Sequence, residues 1–253
     1  MEGGQNLREQ KAFRKGVMED PASDSNILMY SDLSVRLAFI RKVFLLLMLQ
    51  LCVAAAFIAL FTFSHEVKKF AHENRGLVFI ALMTYIVTIL VMSCFEAPRR
   101  QVPCNYMCMM LVTLSLSFMT GAIAAYYKTE VVLLAAITCC ICCFVVAVFA
   151  TQSKCDLTPY TWAFFAAGIA LVVFGIVAII ARIYWNMKGL HVAFAAIGCI
   201  ILMGYFALDL QLIMGNRKYA MSAEDYVFAS TCLFVDIVIL FQYILTLLGE
   251  MEQ

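Results

Sequence analysis

The stretch LHVAFAAIGCIILMGYFALDLQLIM, residues 190–214, decides the fold class of this chain. As a helix it is longer than the roughly 30 Å hydrocarbon core of a bilayer, and Asp209 is its one acidic residue. A second apolar stretch, residues 227–248, likewise contains one acidic residue, Asp236. An aspartate inside a spanning helix costs about 2.5–3.5 kcal/mol on insertion scales. Because that cost is tolerated mainly where the group faces a bundle interior, both aspartates are predicted to be functional.

The composition extends this interpretation to the whole chain. It is 64% hydrophobic and 14% charged, whereas about a quarter of the residues in a soluble domain are charged. Its apolar runs are continuous rather than alternating, which predicts helices. Seven runs can span a membrane: 43–63, 77–95, 104–126, 131–150, 161–181, 190–214 and 227–248. The predicted fold is all-α, a seven-transmembrane-helix bundle over residues 36–249, preceded by a disordered polar tail, residues 1–35.

The distribution of Lys and Arg predicts the orientation of the bundle. The tail and the loops 96–103, 151–158 and 215–226 carry most of these residues, and cytosolic segments of membrane proteins are enriched in them. The N-terminus is therefore predicted to be cytosolic, and the C-terminus lumenal or extracellular unless the last span is re-entrant. The lipid bilayer is the expected surrounding partner. A net charge of +1 without a basic run argues against nucleic acid as a partner.

The two aspartates are predicted to meet. The last two spans are consecutive and antiparallel, and Asp209 and Asp236 lie about 8 and 13 Å from the same membrane face at 1.5 Å per residue. Two carboxyl groups in a poorly hydrated interior cannot easily both ionise, so we expect them to share one proton and to titrate as a coupled unit. The pair is therefore a candidate pH sensor and ion gate.

Other polar residues extend this candidate site. Arg99 and Arg100 are latch candidates, because an arginine paired with Asp209 would hold the cytosolic end shut. Interhelical hydrogen bonding alone would also account for buried hydroxyl groups. The candidates for lining a pathway are Thr113, Ser117 and Thr120 on one face of span three, with Gln211 and Gln242 from the last two spans.

The segment GNRKYAMSAEDYVFA, residues 215–229, resembles the transmembrane Bax-inhibitor-motif family, Lifeguard branch. Supporting segments are DLQLIMG at 209–215, FVD at 234–236 and SVRLAFIRKV at 34–43. The resemblance implies a Bax-inhibitor-type bundle of seven helices with span seven near its centre.

The resemblance also implies a function. It implies a pH-sensitive calcium leak gated by Asp209 and Asp236, with calcium as a permeant ion that contacts both carboxylates in transit and no resident cofactor. The latch arginine of the family matches the neighbourhood of Arg99 and Arg100. Such proteins lower stored calcium and restrain apoptosis in the endoplasmic reticulum, Golgi or plasma membrane. Apoptosis-regulating membrane proteins are implied partners.

Three alternative functions fit parts of the sequence. An intramembrane aspartyl protease also needs two aspartates on adjacent spans, but Leu233, Phe234 and Val235 precede Asp236 where those enzymes have Gly-x-Gly, so we expect no enzyme. A seven-helix receptor would place the N-terminus outside, against the charge distribution. An interaction protein that restrains cell-death factors without conducting ions stays an alternative.

HEVKKFAHE, residues 65–73, lacks the H-E-x-x-H spacing of a zinc site and is predicted to be a solvated loop.

Overall fold

The computed structural model of this chain describes residues 21–185, 188–215 and 217–251, with side chains from position 33 onward except at positions 72, 75 and 188. Within these residues the chain forms nine α-helices, which confirms the all-α class. Single turns of 3-10 helix, Thr158–Tyr160 and Ala223–Asp225, precede the seventh and ninth helices. The helices are α1 (Pro21–Phe63), α2 (His65–Glu73), α3 (Arg75–Cys94), α4 (Glu96–Arg100), α5 (Cys104–Ala124), α6 (Thr129–Gln152), α7 (Thr161–Trp185), α8 (Lys188–Met214) and α9 (Tyr226–Met251).

Seven of these helices are long and apolar enough to cross a membrane, as the sequence predicted. They are α1, α3 and α5 to α9, and most of their ends agree with the predicted spans to within a few residues. The helices α7 and α9 run three or four residues further because interfacial residues can stay helical beyond the apolar core. The last helix is continuous over 26 residues, about 39 Å at 1.5 Å per residue, which is enough for a full crossing.

The first helix starts well before the predicted first span. Residues 1–20 of the predicted polar tail lie outside the described residues, whereas the backbone from Pro21 onward is helical. Proline is favoured in the first turn of a helix because its missing N–H would have no partner there. The chain divides into two units between Phe39 and Ile40. In the first unit, the Arg36 guanidinium lies over the Phe39 ring at 4.8 Å.

The connection 65–73 is a helix, so the predicted solvated loop is wrong. One face of α2 is apolar: Ala71 is buried, and Val67 packs in the same cluster as Phe61 and Ala122. The other face carries charges, among them Lys69 and Glu73, which form an exposed i,i+4 ion pair. The sequence alone does not show this helix, because only the neighbouring ends of α1 and α5 provide the surface that covers its apolar face.

The centre of the bundle is formed by α5 and α9. In their most apolar windows 56% and 50% of residues are buried, against 17–28% in the other five spans. The last helix packs against α5, α6 and α8. Large apolar side chains of the outer helices, such as Phe144 and Ile183, are exposed on the protein and are therefore placed to face lipid.

An ion pair joins the C-terminal end of α9 to the C-terminal end of α7. Arg182, in the last turn of α7, forms an ion pair of 3.2 Å with Glu250 of α9. Glu250 is only 10% exposed. A buried pair of this kind fixes the position of the two helix ends relative to each other, because separating the charges would leave Glu250 without a counter-ion.

Candidate functional site

Asp209 on α8 and Asp236 on α9 are brought together in the bundle. Their carboxyl groups approach each other across the two antiparallel helices, close enough to share a proton. Asp236 is 7% exposed. Its Oδ2 has no hydrogen-bond partner within the described part of the chain. Since an oxygen of one carboxylate cannot donate to another, a hydrogen bond between the two groups forms only when one of them holds a proton.

Two tyrosines and a cysteine lie near the carboxyl pair. The side chains that interact electrostatically with Asp236 include Tyr85 from α3, Tyr205 from α8 and Cys232 from the preceding turn of α9. Tyr205 donates its hydroxyl hydrogen to the Phe164 carbonyl oxygen at 2.5 Å. The hydroxyl hydrogen of Tyr205 is therefore bonded to the backbone of α7 rather than to the carboxyl pair.

Close packing of α8 on α9 holds the carboxyl pair in register. Gly198 of α8 lies against the Tyr243 ring of α9, where a Cβ atom would collide with the ring carbons. Glycine is needed here because only a hydrogen atom fits between the helix backbone and the aromatic ring. Similar glycine contacts, Gly168 with Tyr205 and Gly204 with Phe164, join α7 to α8.

Gly198→Ala is expected to destabilise the bundle by about 1–3 kcal/mol, the usual cost of overpacking a tight contact. The added methyl group must displace the Tyr243 ring and separate α8 from α9. The measurement is the thermal unfolding midpoint in detergent. Gly189→Ala is the matched control on the same helix, because nothing lies within 4 Å of a Cβ at that position. Equal midpoints for the two variants would contradict the packing role of Gly198.

The two candidate latch arginines pair with a third aspartate, not with Asp209. Arg99 Nε lies 3.0 Å from Asp225 Oδ1. Arg100 Nε donates to the same oxygen at 2.8 Å, and its Nη2 lies 3.3 Å from Oδ2. We call Arg99, Arg100 and Asp225 the clasp. It joins the short helix α4 to the start of α9.

The position of α4 explains why neither arginine reaches the carboxyl pair. The clasp aspartate precedes Asp236 by eleven residues, about 16 Å along the helix. Its side chain is 7% exposed, whereas those of Arg99 and Arg100 are 22% and 32% exposed, so both guanidinium groups lie at the edge of the bundle. The hydrogen bond to Asp225 raises the pKa of Arg100, so this residue stays charged at physiological pH.

Asp225 is a site residue that sequence reasoning missed. It lies in the 215–229 segment, where its acidic neighbour Glu224 and its place before an apolar run suggested only a span border. Acidic residues are common at helix N-termini because they interact favourably with the helix dipole. The sequence does not reveal that Asp225 pairs with two arginines, because this pairing depends on how the 96–103 segment packs against the start of α9.

A ladder of buried polar groups runs along α5. The Thr113 hydroxyl donates to the Met109 carbonyl at 2.7 Å and accepts from Gln50 Nε2 at 3.0 Å. Two turns later, Thr120 donates to the Leu116 carbonyl at 2.7 Å and accepts from Gln242 Nε2 at 2.6 Å. Of the predicted pathway residues, Thr113 thus joins α5 to Gln50 of α1, and Thr120 joins α5 to Gln242 of α9.

Ser117 and Gln50 complete the ladder. Ser117 lies between the two threonines and is fully buried. Gln50, 2% exposed, is a polar residue in the first apolar run that the sequence analysis missed. The signal was present, since Gln50 is a polar residue deep within a spanning stretch, as the two aspartates are.

Gln211 anchors a loop. Its Oε1 accepts from the Leu157 N–H at 2.9 Å, and its Nε2 donates to the Cys155 carbonyl at 2.9 Å. The same nitrogen lies 3.4 Å from the Ala150 carbonyl oxygen. The Gln211 amide therefore bonds to the end of α6 and to the loop after it.

Gln211→Leu is expected to loosen this loop, because Leu157 N–H and two carbonyl groups lose their partner at about 1 kcal/mol per hydrogen bond. Hydrogen exchange at the Leu157 amide should become severalfold faster. Thr151→Val is the matched control, because the exposed Thr151 hydroxyl bonds only to carbonyls of its own helix. Unchanged exchange in Gln211→Leu would show that other contacts hold the loop.

Asp156 joins the loop after α6 to the loop after α8. We call these contacts the loop junction. Asp156 accepts from the Thr158 hydroxyl at 2.8 Å and from the Lys218 N–H at 3.2 Å. Desolvation alone raises the pKa of Asp156, but the hydrogen bonds from Thr158 and Lys218 and the Arg217 charge lower it overall. A lowered carboxyl pKa stabilises the fold above the unfolded-state value and is lost only as the pH falls through the folded-state value. This junction therefore stays closed at neutral pH.

Resident metal ions require more ligands than the carboxyl pair supplies. No group of three or more His, Cys, Asp and Glu side chains that could hold a metal occurs among the described residues. Two carboxylates offer at most four oxygen atoms, whereas calcium takes about six to eight. Calcium at Asp209 and Asp236 would therefore need water or further protein oxygens to complete its shell.

The comparisons with known proteins place this chain in a family. Residues 36–253 match the family model described as inhibitor of apoptosis-promoting Bax1. The chain is 36% identical to human protein lifeguard 3 over 87% of this chain and 71% of that protein. It is 35% identical to mouse protein lifeguard 3, over 88% and 72% of the two chains.

A more distant relative is similar over nearly its whole length. Mouse protein lifeguard 4 is 25% identical over 95% of this chain and 97% of that protein. The family match covers the seven spans, the carboxyl pair and the clasp. The chain therefore belongs to the Bax-inhibitor family of multi-pass membrane proteins, in its Lifeguard branch.

Proposed function

We propose that this protein is a pH-sensitive leak channel for calcium. The observation that carries the proposal is the close approach of the Asp209 and Asp236 carboxyl groups inside the bundle. Ionisable residues within spanning helices mark ion pathways and proton relays in membrane proteins. A carboxyl pair that holds one proton changes its net charge and its geometry when that proton leaves.

The polar groups around the pair support passage of a cation. Calcium prefers oxygen ligands, and the bundle interior offers carboxylate, hydroxyl and amide oxygens on α5, α8 and α9. A site with few charged ligands binds a divalent ion weakly enough to release it, as conduction requires. The clasp would limit passage at the face where α4 meets α9.

The family membership supports the cellular role we propose. The matching family model is described as an inhibitor of apoptosis-promoting Bax1. A leak that lowers stored calcium would restrain apoptosis from the endoplasmic reticulum, the Golgi or the plasma membrane. The N-terminus and the clasp would then face the cytosol, because the basic loops lie on that side.

Calcium release from loaded proteoliposomes tests this function. Purified protein should release trapped calcium faster than protein-free vesicles do, with a rate that depends on pH. Protein-free vesicles taken through the same detergent treatment control for trace detergent. Release at the protein-free rate at every pH would reject conduction.

The family description favours a second candidate function, a non-conducting membrane protein that binds apoptosis-regulating membrane proteins. An Asp209→Asn, Asp236→Asn double variant separates the two candidates in cells challenged with a death signal. Loss of protection together with loss of the pH response supports the channel. Full protection by the double variant supports the binding protein.

A further inference from the structure

Two buried oxygen atoms of the polar ladder have no partner. These are Gln50 Oε1 and Ser117 Oγ, and neither makes a hydrogen bond to any group in the described ranges. Gln50 is 2% exposed and Ser117 is fully buried. Buried polar atoms without a partner are rare because each costs the free energy of its desolvation. Such atoms point to a ligand.

The neighbouring hydrogen bonds fix what these atoms can offer. The Thr113 hydroxyl gives its hydrogen to the Met109 carbonyl, so it can only accept from Gln50. The Gln50 amide must therefore turn its nitrogen toward Thr113 and present its oxygen elsewhere. Ser117 follows Thr113 by four residues on the same helix face, where Cβ atoms are about 5–6 Å apart. Gln50, through its amide nitrogen 3.0 Å from the Thr113 hydroxyl, and Ser117, one turn further along α5, thus both place an accepting oxygen near Thr113.

Ser117 lies at nearly the same depth as Asp236. The Tyr106 and Tyr226 hydroxyls are 3.0 Å apart, and further along, Gln242 contacts Thr120. These two contacts show that α5 and α9 run in the same direction. Ser117 is eleven residues beyond Tyr106 and Asp236 is ten beyond Tyr226, so their depths differ by about 2 Å.

We propose that Gln50 Oε1 and Ser117 Oγ form an uncharged oxygen site for a cation in transit, beside the level of the carboxyl pair. The proposal rests on the proposed calcium leak and adds a second set of ligands to it. Amide and hydroxyl oxygens are hard ligands that suit calcium, and water retained by the ion completes its shell. Because the site has no charge of its own, it releases the ion readily.

Ser117→Ala is expected to lower calcium release from proteoliposomes about three- to tenfold, the effect of losing one ligand worth a net hydrogen bond. The pH response and the unfolding midpoint should stay as in the wild type. Ser115→Ala is the matched control on the same helix, because the Ser115 hydroxyl already bonds to the Leu111 carbonyl. Equal release by the two variants overturns the proposal.

Gln50→Glu provides a test that does not depend on loss of function. A carboxylate at this position keeps an oxygen in the site and adds charge, so calcium should be retained longer and should saturate release at lower concentration. Unchanged saturation overturns the proposal. A lower unfolding midpoint in Ser117→Ala with unchanged release assigns the two oxygens to a structural water, and it also overturns the proposal.

The outcomes separate this proposal from the function on which it rests. If wild-type protein releases no calcium, the leak function fails and this site fails with it. If the wild type conducts and the aspartate variants lose the pH response, the leak function stands. In that case identical release by Ser117→Ala and Ser115→Ala rejects the second ligand set alone.

Discussion

Asp236→Asn is expected to hold calcium release at the low-pH level of the wild type across about pH 5 to 8. The asparagine amide can donate to the Asp209 carboxylate without a shared proton, so α8 and α9 stay joined at every pH. In the wild type, loss of the proton leaves two carboxylates a hydrogen bond apart. Their repulsion is about 4 kcal/mol at 4 Å and an effective dielectric constant near 20, enough to separate them. The measurement is calcium release from proteoliposomes as a function of pH.

The partner position provides the control for this prediction. Asp209→Asn should give the same flat profile, because the pair is hydrogen-bonded as one unit. Asp236→Ala cannot donate, so its release should differ from that of Asp236→Asn. A normal pH response in either asparagine variant would show that another group senses pH. Identical flat profiles for the asparagine and alanine variants would show that the hydrogen bond has no part in gating.

Opening the clasp is expected to raise basal calcium release severalfold. The Arg99→Gln, Arg100→Gln double variant removes both cations from Asp225, whose side chain is 7% exposed. A buried carboxylate without a counter-ion is unfavourable, so α4 should separate from the start of α9. Release is measured at neutral pH, where Asp156 and its loop junction stay intact.

A mutant cycle separates the clasp from general effects of charge. Asp225→Asn alone should raise release as much as the double arginine variant does, and combining all three changes should add little, because both routes break the same contacts. Glu96→Gln is a control, because this exposed residue is only 4.0 Å from Arg100 and lies outside the clasp. Additive effects of the arginine and aspartate changes, or no rise at all, would contradict a latch role.

The seven-helix fold was predictable because hydrocarbon leaves few backbone options. A continuous apolar run must be helical to satisfy its own N–H and C=O groups, so the run lengths alone locate the spans. The carboxyl pair was predictable for the same reason, since a charge in such a run needs a partner at its own depth. The loop between α8 and α9 makes the two helices neighbours, which brings Asp209 within reach of Asp236.

The clasp, the loop anchor and Gln50 were not predictable, because they depend on how elements pack. A spanning sequence gives the depth of a residue but not the rotation of its helix against the neighbours. Gln211 shares its helix with Asp209, yet its amide turns to the loop after α6. Arg99 meets Asp225 only because the five residues of α4 fold over the start of α9.

The end of α8 is a feature that the local sequence alone does predict. Gly215 follows the last helical residue with φ of 70°, a left-handed conformation that glycine adopts without strain. Its N–H donates to the Gln211 carbonyl, and the Met221 N–H closes back on the Leu212 carbonyl. Glycine at this position predicts the helix end directly from the sequence, which fixes the distance of Asp209 from the loop.

The shared proton is tested most directly by infrared titration of the reconstituted protein, with calcium release measured on the same vesicles. We expect one protonated carboxyl band that disappears over the pH interval in which release changes, and that is absent in Asp209→Asn. A band that is absent at every pH, or that titrates where release is constant, would contradict gating by the Asp209–Asp236 pair.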